Sequence, residues 1–279
     1  MKEGTSHPGK LLAALGLFPR KSLGQNFLTD RNVAGKIVAL ARSFPPPFLE
    51  IGPGLGALTS LLADAGAPVV AVEIDRGLAG HLRGRLVGTS VEILEADFLA
   101  VPEQVWRLRF PAGGTVVGNL PYSISSPIVL RLIELRDRFP RAVLMLQREV
   151  VDRLCAGPGG KEYGILSVYL GVLAEARKEF VVRRASFHPA PDVDSAVMSV
   201  RFVGEYPEAL VAALRTVVRA AFAHRRKTLR NAPVPFLPGG AAQWCELLSA
   251  SGIDPSGRAE EVSPAAYLAL ARTFAACMR

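Results

Sequence analysis

Phe48-Leu49-Glu50-Ile51-Gly52-Pro53-Gly54-Leu55-Gly56 decides how the rest of this chain is read. The short apolar run has the character of a buried strand, and glycines at alternate positions then let the backbone turn sharply. Residues 57–65 follow with helical spacing, Leu58, Leu61 and Leu62 sharing one face. Working outward, apolar runs at 68–73, 91–95, 115–118 and 142–146 alternate with helical patterns at 78–86 and 126–138. Strands alternating with helices predict an α/β fold whose parallel sheet is covered on both faces. Residues 177–182 and 195–202 are two further strand candidates, expected to close the sheet as an antiparallel hairpin. Beyond Val203 the pattern is helical, interrupted by the Pro/Gly-rich stretch 231–240. The expected organisation is therefore a catalytic domain over 1–203 and a small helical domain over 204–279.

Charge adds a second signal. The net charge of +8 is gathered at the two ends. Residues 1–31 hold five Lys/Arg against two carboxylates, and 204–279 hold nine against six. Arg225, Arg226, Lys227 and Arg230 form the densest cluster, with Arg215 and Arg219 before them on a predicted helix. Such a patch suits a polyanion, binding by counterion release, although a solvated helix face has the same composition. Cys155, Cys245 and Cys277 have no metal-type spacing and fit a reducing cytosol. No apolar stretch nears the ~18 residues of a membrane span, and Leu11 to Leu15 is too short to read as a signal peptide. No Ser/His/Asp set or metal-ligand cluster stands out, and His81 and His188 read as structural or surface groups.

Two cofactors fit the glycine turn. Gly52-x-Gly54-x-x-Ala57, with Glu73 about twenty residues on to hold ribose hydroxyls, satisfies a dinucleotide fingerprint. Glu50 argues against a pyrophosphate there, because like charges would meet. S-adenosylmethionine carries a sulfonium and an ammonium instead, and a carboxylate at the strand end suits it. Asp97, after the third strand, is then placed to accept from an adenine amino group, though a turn or helix cap would use the same residue.

Asn119-Leu120-Pro121-Tyr122 ends the fourth strand. An Asn side chain accepts a hydrogen bond from an exocyclic amino group, Tyr stacks on a flat base, and Pro121 stiffens the turn that presents them. An ordinary Asn/Pro turn is the plainer reading.

Four motifs occur in order: Ser22-Leu23-Gly24-Gln25-Asn26-Phe27-Leu28, Glu50 to Gly56, Asn119 to Tyr122, and Phe187-x-Pro189-x-Pro191-x-Val193-x-Ser195. With the basic helical tail, the chain resembles the ribosomal RNA adenine dimethyltransferase family over nearly its whole length. The resemblance implies a Rossmann-like S-adenosylmethionine-dependent methyltransferase sheet and N6,N6-dimethylation of two neighbouring adenosines in small-subunit rRNA. It implies that Gln25, Asn26 and Leu28 close over the donor, with Gly52 and Gly54 admitting it closely because a Cβ there would clash. Glu73 would hold its ribose, Asp97 its adenine, and Asn119 would border it. Asn119 and the Leu120 carbonyl would accept from the target amino group, Tyr122 and Phe187 would stack on the extruded base, and no strong base or metal is required. Arg225, Arg226, Lys227 and Arg230 would meet RNA. A cytoplasmic monomer acting on small-subunit rRNA or the assembling subunit is expected. The large-subunit methyltransferases of antibiotic resistance, a non-catalytic assembly factor and a nicotinamide dehydrogenase are the competing readings. Residues 1–20 lie outside the resemblance and carry no assigned role.

Overall fold

The computed structural model describes residues 8–20, 23–224 and 227–278. In chain order the elements are α1 (Pro8–Ala14), β1 (Phe27–Leu28), α2 (Arg31–Ala41), β2 (Phe48–Ile51), α3 (Ala57–Asp64), β3 (Val69–Glu73), α4 (Arg76–Arg85), β4 (Val91–Glu95), α5 (Glu103–Arg109) and β5 (Thr115–Asn119). There follow α6 (Ser125–Glu134), β6 (Arg141–Gln147), α7 (Arg148–Leu154), α8 (Ile165–Leu173), β7 (Ala174–Val182), β8 (Phe187–His188), β9 (Ser195–Phe202), α9 (Glu208–Phe222), α10 (Gly240–Ala250) and α11 (Pro264–Cys277). No helix among the described residues is long and apolar enough to cross a membrane.

The chain forms two compact units. The first comprises Met1–Val151 and Arg177–Arg201. Its seven-stranded sheet has the order β4-β3-β2-β5-β6-β9-β7, and β4, β3, β2, β5 and β6 pair in parallel. β9 runs antiparallel to β6, and β7 lies at the edge beside it. Every residue of β2 is buried, as its unbroken apolar run requires of a central strand covered on both faces. A buried Leu or Phe in such a strand contributes about 1.5–3 kcal/mol relative to exposure. The chain winds outward from β2 through β3 to β4, then returns to β5 on the other side. The carboxyl ends of β2 and β5 therefore flank the switch point, where an open α/β sheet leaves a crevice.

Helix starts follow local chemistry. Asp30 accepts from the Asn32 and Val33 amides at the start of α2, and Asp75 accepts from Gly77 and Leu78 at the start of α4. α6 is shorter than its predicted 126–138. A 3-10 turn at Tyr122–Ile124 precedes it, and it ends at Glu134, well before Pro140, whose ring disfavours helix in the residue before it. β1 and β8 form a separate two-stranded antiparallel ladder, with Leu28 opposite Phe187 and Phe27 opposite His188.

The second unit comprises Asp152–Ala176 and Phe202–Arg279. It is larger than the expected 204–279, because a segment before β7 belongs with the C-terminal helices. α8 explains why: Ser167, Val168, Tyr169, Leu170, Val172 and Leu173 are all buried, leaving little polar face for solvent, and it packs on α9 and α11. Tyr163 and Tyr267 are buried beside Phe222, and each hydroxyl finds a carbonyl, of Val262 and Ala259 respectively. Trp244, fully buried, donates to the Leu229 carbonyl.

Candidate active site

The switch-point crevice of the first unit is walled by five short stretches: the segment around Gln25 to Leu28, the glycine turn after β2, the end of β3, the turn after β4, and Asn119 to Ile124 after β5. Glu50, Glu73, Asp97 and Tyr122 are its titratable lining residues, and no Lys, Arg or His joins them among the described residues.

Gly52 and Gly54 have φ of 67° and 58°, a left-handed conformation that costs a residue bearing Cβ about 1–2 kcal/mol. At Gly54 crowding by the protein adds to this, since a Cβ would stand 3.2 Å from the Phe27 ring. At Gly52 the nearest protein atom would be 4.0 Å away, so the backbone angle rather than crowding by protein requires glycine. The Gly54 amide donates to Glu73 Oε2 at 3.0 Å, and the Asp75 amide donates to Oε1 at 2.9 Å. The glycine turn is thus hung from the end of β3. Burial pushes the Glu73 carboxyl above its usual range, and those amide bonds pull it partly back.

Glu50 is the more perturbed group. It is 1% exposed, and its Oε2 has no hydrogen-bond partner among the described residues. Burial pushes its carboxyl up to about 8 against the pull of the neighbouring Thr59, with the Glu73 charge adding to the rise. A buried acid that keeps its proton in the free fold would give it up to pair with a cationic ligand, and no Lys, Arg or His competes for that ligand among the described lining residues. Asp97 is exposed at the rim, and its Oδ1 accepts from the Leu99 amide at 2.9 Å, as a turn residue does, while the residue also lines the crevice. Ile74, Phe98 and Leu99 add an apolar slot beside Glu73 and Asp97 that sequence reasoning missed. Ile74 is 51% exposed directly after a strand-end acid, and only its place in three dimensions marks it.

Across the crevice, Asn119 ends β5, and its Nδ2 donates to the Asn26 carbonyl at 3.0 Å. That bond fixes the amide orientation and leaves Oδ1 as an acceptor. The Leu120 amide donates to the Met145 carbonyl at 3.0 Å, which anchors the turn to β6, while the Leu120 side chain is buried. Tyr122 Oη and Ser195 Oγ are 2.8 Å apart, so Ser195, at the start of β9, holds the ring. Burial raises the Tyr122 phenol further above neutrality, so it stays protonated. Gln25 lines the crevice with its Oε1 already accepting from the Arg20 amide. Leu28 lines it from the core side.

Phe187 is not brought to the site. It is 5% exposed, faces Leu28 across the β1–β8 ladder, and sits in the core with Ile37, Val38, Val143 and Val197. The prolines that follow it orient a packing residue, and the expected stacking role has no support from this geometry. In the second unit Lys227 and Arg230 are exposed, and the Arg230 and Leu229 amides dock on the Pro255 and Gly257 carbonyls. Arg225 and Arg226, expected to meet RNA with them, lie outside the described residues.

A parallel sheet with its crevice at the switch point, walled by carboxylates where a phosphate-binding fold would offer cations, places the chain among the Rossmann-like methyltransferases. Comparison with known proteins narrows that class. Residues 18–276 match the family model described as ribosomal RNA adenine dimethylase. The chain is 45% identical over 269 residues to ribosomal RNA small subunit methyltransferase A of Geobacter sulfurreducens, covering 92% of this chain and 95% of that protein. It is 43% identical over 268 residues to the protein of the same name from Desulfitobacterium hafniense, covering 94% of each. Among solved structures, a dimethyladenosine transferase from Plasmodium falciparum superposes with a TM-score of 0.72 at 26% identity, covering 88% of this chain and 95% of that one. The 23S rRNA methyltransferase ErmE superposes with a TM-score of 0.67 at 30% identity, covering 89% and 99%. The chain belongs to the ribosomal RNA adenine dimethylase family.

Proposed function

We propose that this chain transfers methyl groups from S-adenosylmethionine to N6 of adenosines in small-subunit rRNA, two to each of two adjacent bases, in the cytoplasm. The observation that carries the chemistry is the Asn119 amide, turned by the Asn26 carbonyl so that Oδ1 is left to accept. The crevice suits the donor: Glu50 offers a buried oxygen without a partner among the described residues, Glu73 and Asp97 offer acceptors, and Ile74, Phe98 and Leu99 supply apolar lining. The donor supplies a methyl on a sulfonium, which departs as a neutral thioether.

The protein's part is orientation. In the first transfer Asn119 Oδ1 and the Leu120 carbonyl accept the two N–H bonds of the target amino group, and in the second one of them accepts the N–H that remains. Held in that way, the nitrogen lone pair is drawn out of conjugation with the ring and directed along the axis of transfer. Each time the nitrogen bonds to the methyl as the carbon–sulfur bond breaks, and the proton then leaves to solvent. Orientation of this kind supplies about 7–11 kcal/mol in favourable cases, so a strong general base is unnecessary. Tyr122 stacks on the extruded base, its ring fixed through Ser195. A stacking contact is worth about 1–3 kcal/mol and offsets part of the cost of extrusion. The second unit contributes the phosphate-binding surface through Lys227 and Arg230, with Arg225 and Arg226 in the same run of sequence. The small-subunit assignment is favoured over large-subunit rRNA by the relatives at 40–45% identity, which share one name.

Replacing the acceptor tests this reading. Asn119→Ala should lower methyl transfer by about 10²–10³-fold or more, the usual cost of removing one preorganised polar contact to a reacting centre. RNA affinity, measured by filter binding, should be unchanged. Normal turnover in Asn119→Ala would remove the catalytic assignment.

A further inference from the structure

The segment from α1 to Arg20, most of it before the family match begins at residue 18, touches the donor crevice from behind at two places. The first is apolar. Leu12, 3% exposed, forms a small core with Phe27, Leu55 and Leu78, and Leu11 and Leu17 pack on it. Phe27, Leu55 and Leu78 all line the crevice. α1 therefore supports three wall residues that would otherwise face solvent on their far side. Leu17 lies tightly on the first turn of α4: its Cδ2 is 2.6 Å from where a Cβ on Gly77 would be.

The second contact is polar. Arg20 Nε lies 3.3 Å from Asp75 Oδ2, and the Asp75 side chain is 4% exposed. Asp75 caps α4 through its other oxygen, and its amide donates to Glu73 Oε1. The Arg20 amide in turn donates to Gln25 Oε1 at 2.8 Å. One residue thus ties the Gln25–Asn26 wall to the helix start that orients Glu73. Arg20 also sets a cation beside a cluster of carboxylates that has none within the crevice.

We propose that residues 8–20 are a functional part of the donor site, with Arg20 and the Leu12–Leu17 contacts as positioning residues that set how long the donor stays bound. The inference rests on the S-adenosylmethionine reading of the crevice. Gln25 and Phe27 line the crevice and are held, one through the Arg20 amide and the other through Leu12, by this segment. Loosening it should act mainly on the rate of departure, as most affinity changes within one site do.

The test uses the full chain, labelled S-adenosylmethionine chased with unlabelled donor, and the thermal unfolding of each free protein. Arg20→Ala removes the ion pair, and Arg20→Lys restores its charge. Gly77→Leu fills the place of Leu17 on the first turn of α4, where its Cβ also stands 3.3 Å from Asp75 Oδ1, so its unfolding temperature reports whether the displacement is confined to the segment. Arg20→Ala and Gly77→Leu should release the donor about tenfold faster, a difference of about 1.4 kcal/mol. Arg20→Lys should recover most of the loss, unfolding temperatures should hold, and turnover at saturating donor should persist. Equal release from all variants, or faster release only where the unfolding temperature has dropped, would overturn the inference and leave the donor reading intact. Failure of the unaltered protein to bind S-adenosylmethionine would overturn the donor reading, and this inference with it.

Discussion

At the scale of single residues, the site works by depriving polar atoms of some partners and supplying others. Asn119 Nδ2 has a partner in the Asn26 carbonyl, which leaves Oδ1 as the acceptor the proposed reaction needs. Glu50 Oε2 has none among the described residues, and burial holds the carboxyl up at about 8 against a usual 4.5. The sign of its effect on stability follows from linkage. Between those two values the unfolded chain carries Glu50 ionised while the folded chain carries it protonated, so the folded state binds the extra proton. Its contribution is full below about 4.5 and is lost as pH rises toward 8. Glu73, also raised, acts in the same direction. Glu50→Gln should therefore unfold at a higher temperature than the unaltered protein at pH 8 and lose part of the pH dependence, while binding S-adenosylmethionine more weakly. Calorimetric scans of both proteins from pH 5 to pH 8.5 would show this; parallel curves would mean that Glu50 does not hold its proton in the fold.

At the scale of elements, the site depends on turns that carry little pattern of their own. The glycine turn is the clearest case. Gly54→Ala places a Cβ 3.2 Å from the Phe27 ring at a φ of 58°. It should destabilise the protein by about 1–2 kcal/mol through the left-handed backbone alone and should weaken donor binding further, as urea denaturation and titration would report. This turn was legible in sequence because glycine spacing and a following helical pattern coincide. The β-strands of the parallel sheet were legible for a similar reason: buried central strands are continuous apolar runs. β1 and β8 were not, since two residues are too few to show any period, yet their ladder decides the fate of Phe187. The motif around Phe187 announces a rigid turn, but side-chain direction comes from pairing with Leu28, and that pairing joins residues far apart in sequence. α8 was missed because an almost wholly apolar helix has no face to betray its period, and the domain limit at 203 was misplaced for the same reason. Ile74 and Ser195 earn their places only from the packing around Glu73 and Tyr122.

At the scale of the whole molecule, charge separates the two tasks. The crevice of the first unit is lined by carboxylates and suits a cationic donor, while the second unit exposes Lys227 and Arg230 and suits a polyanion. Lys227→Glu and Arg230→Glu should weaken rRNA binding alike across sequences and reduce the slope of log affinity against log salt by about one for each phosphate no longer neutralised. Donor affinity should stay as it was, and an unchanged salt slope would move the RNA surface elsewhere. The central claim, that this crevice methylates N6 of adenosine in the small subunit, is met most directly by one measurement. Purified protein is incubated with methyl-labelled S-adenosylmethionine and unmethylated small or large ribosomal particles, and the RNA is digested and its nucleosides separated by mass. The account predicts N6,N6-dimethyladenosine from small-subunit particles alone; label confined to large-subunit RNA, or none on adenosine in either particle, would contradict it.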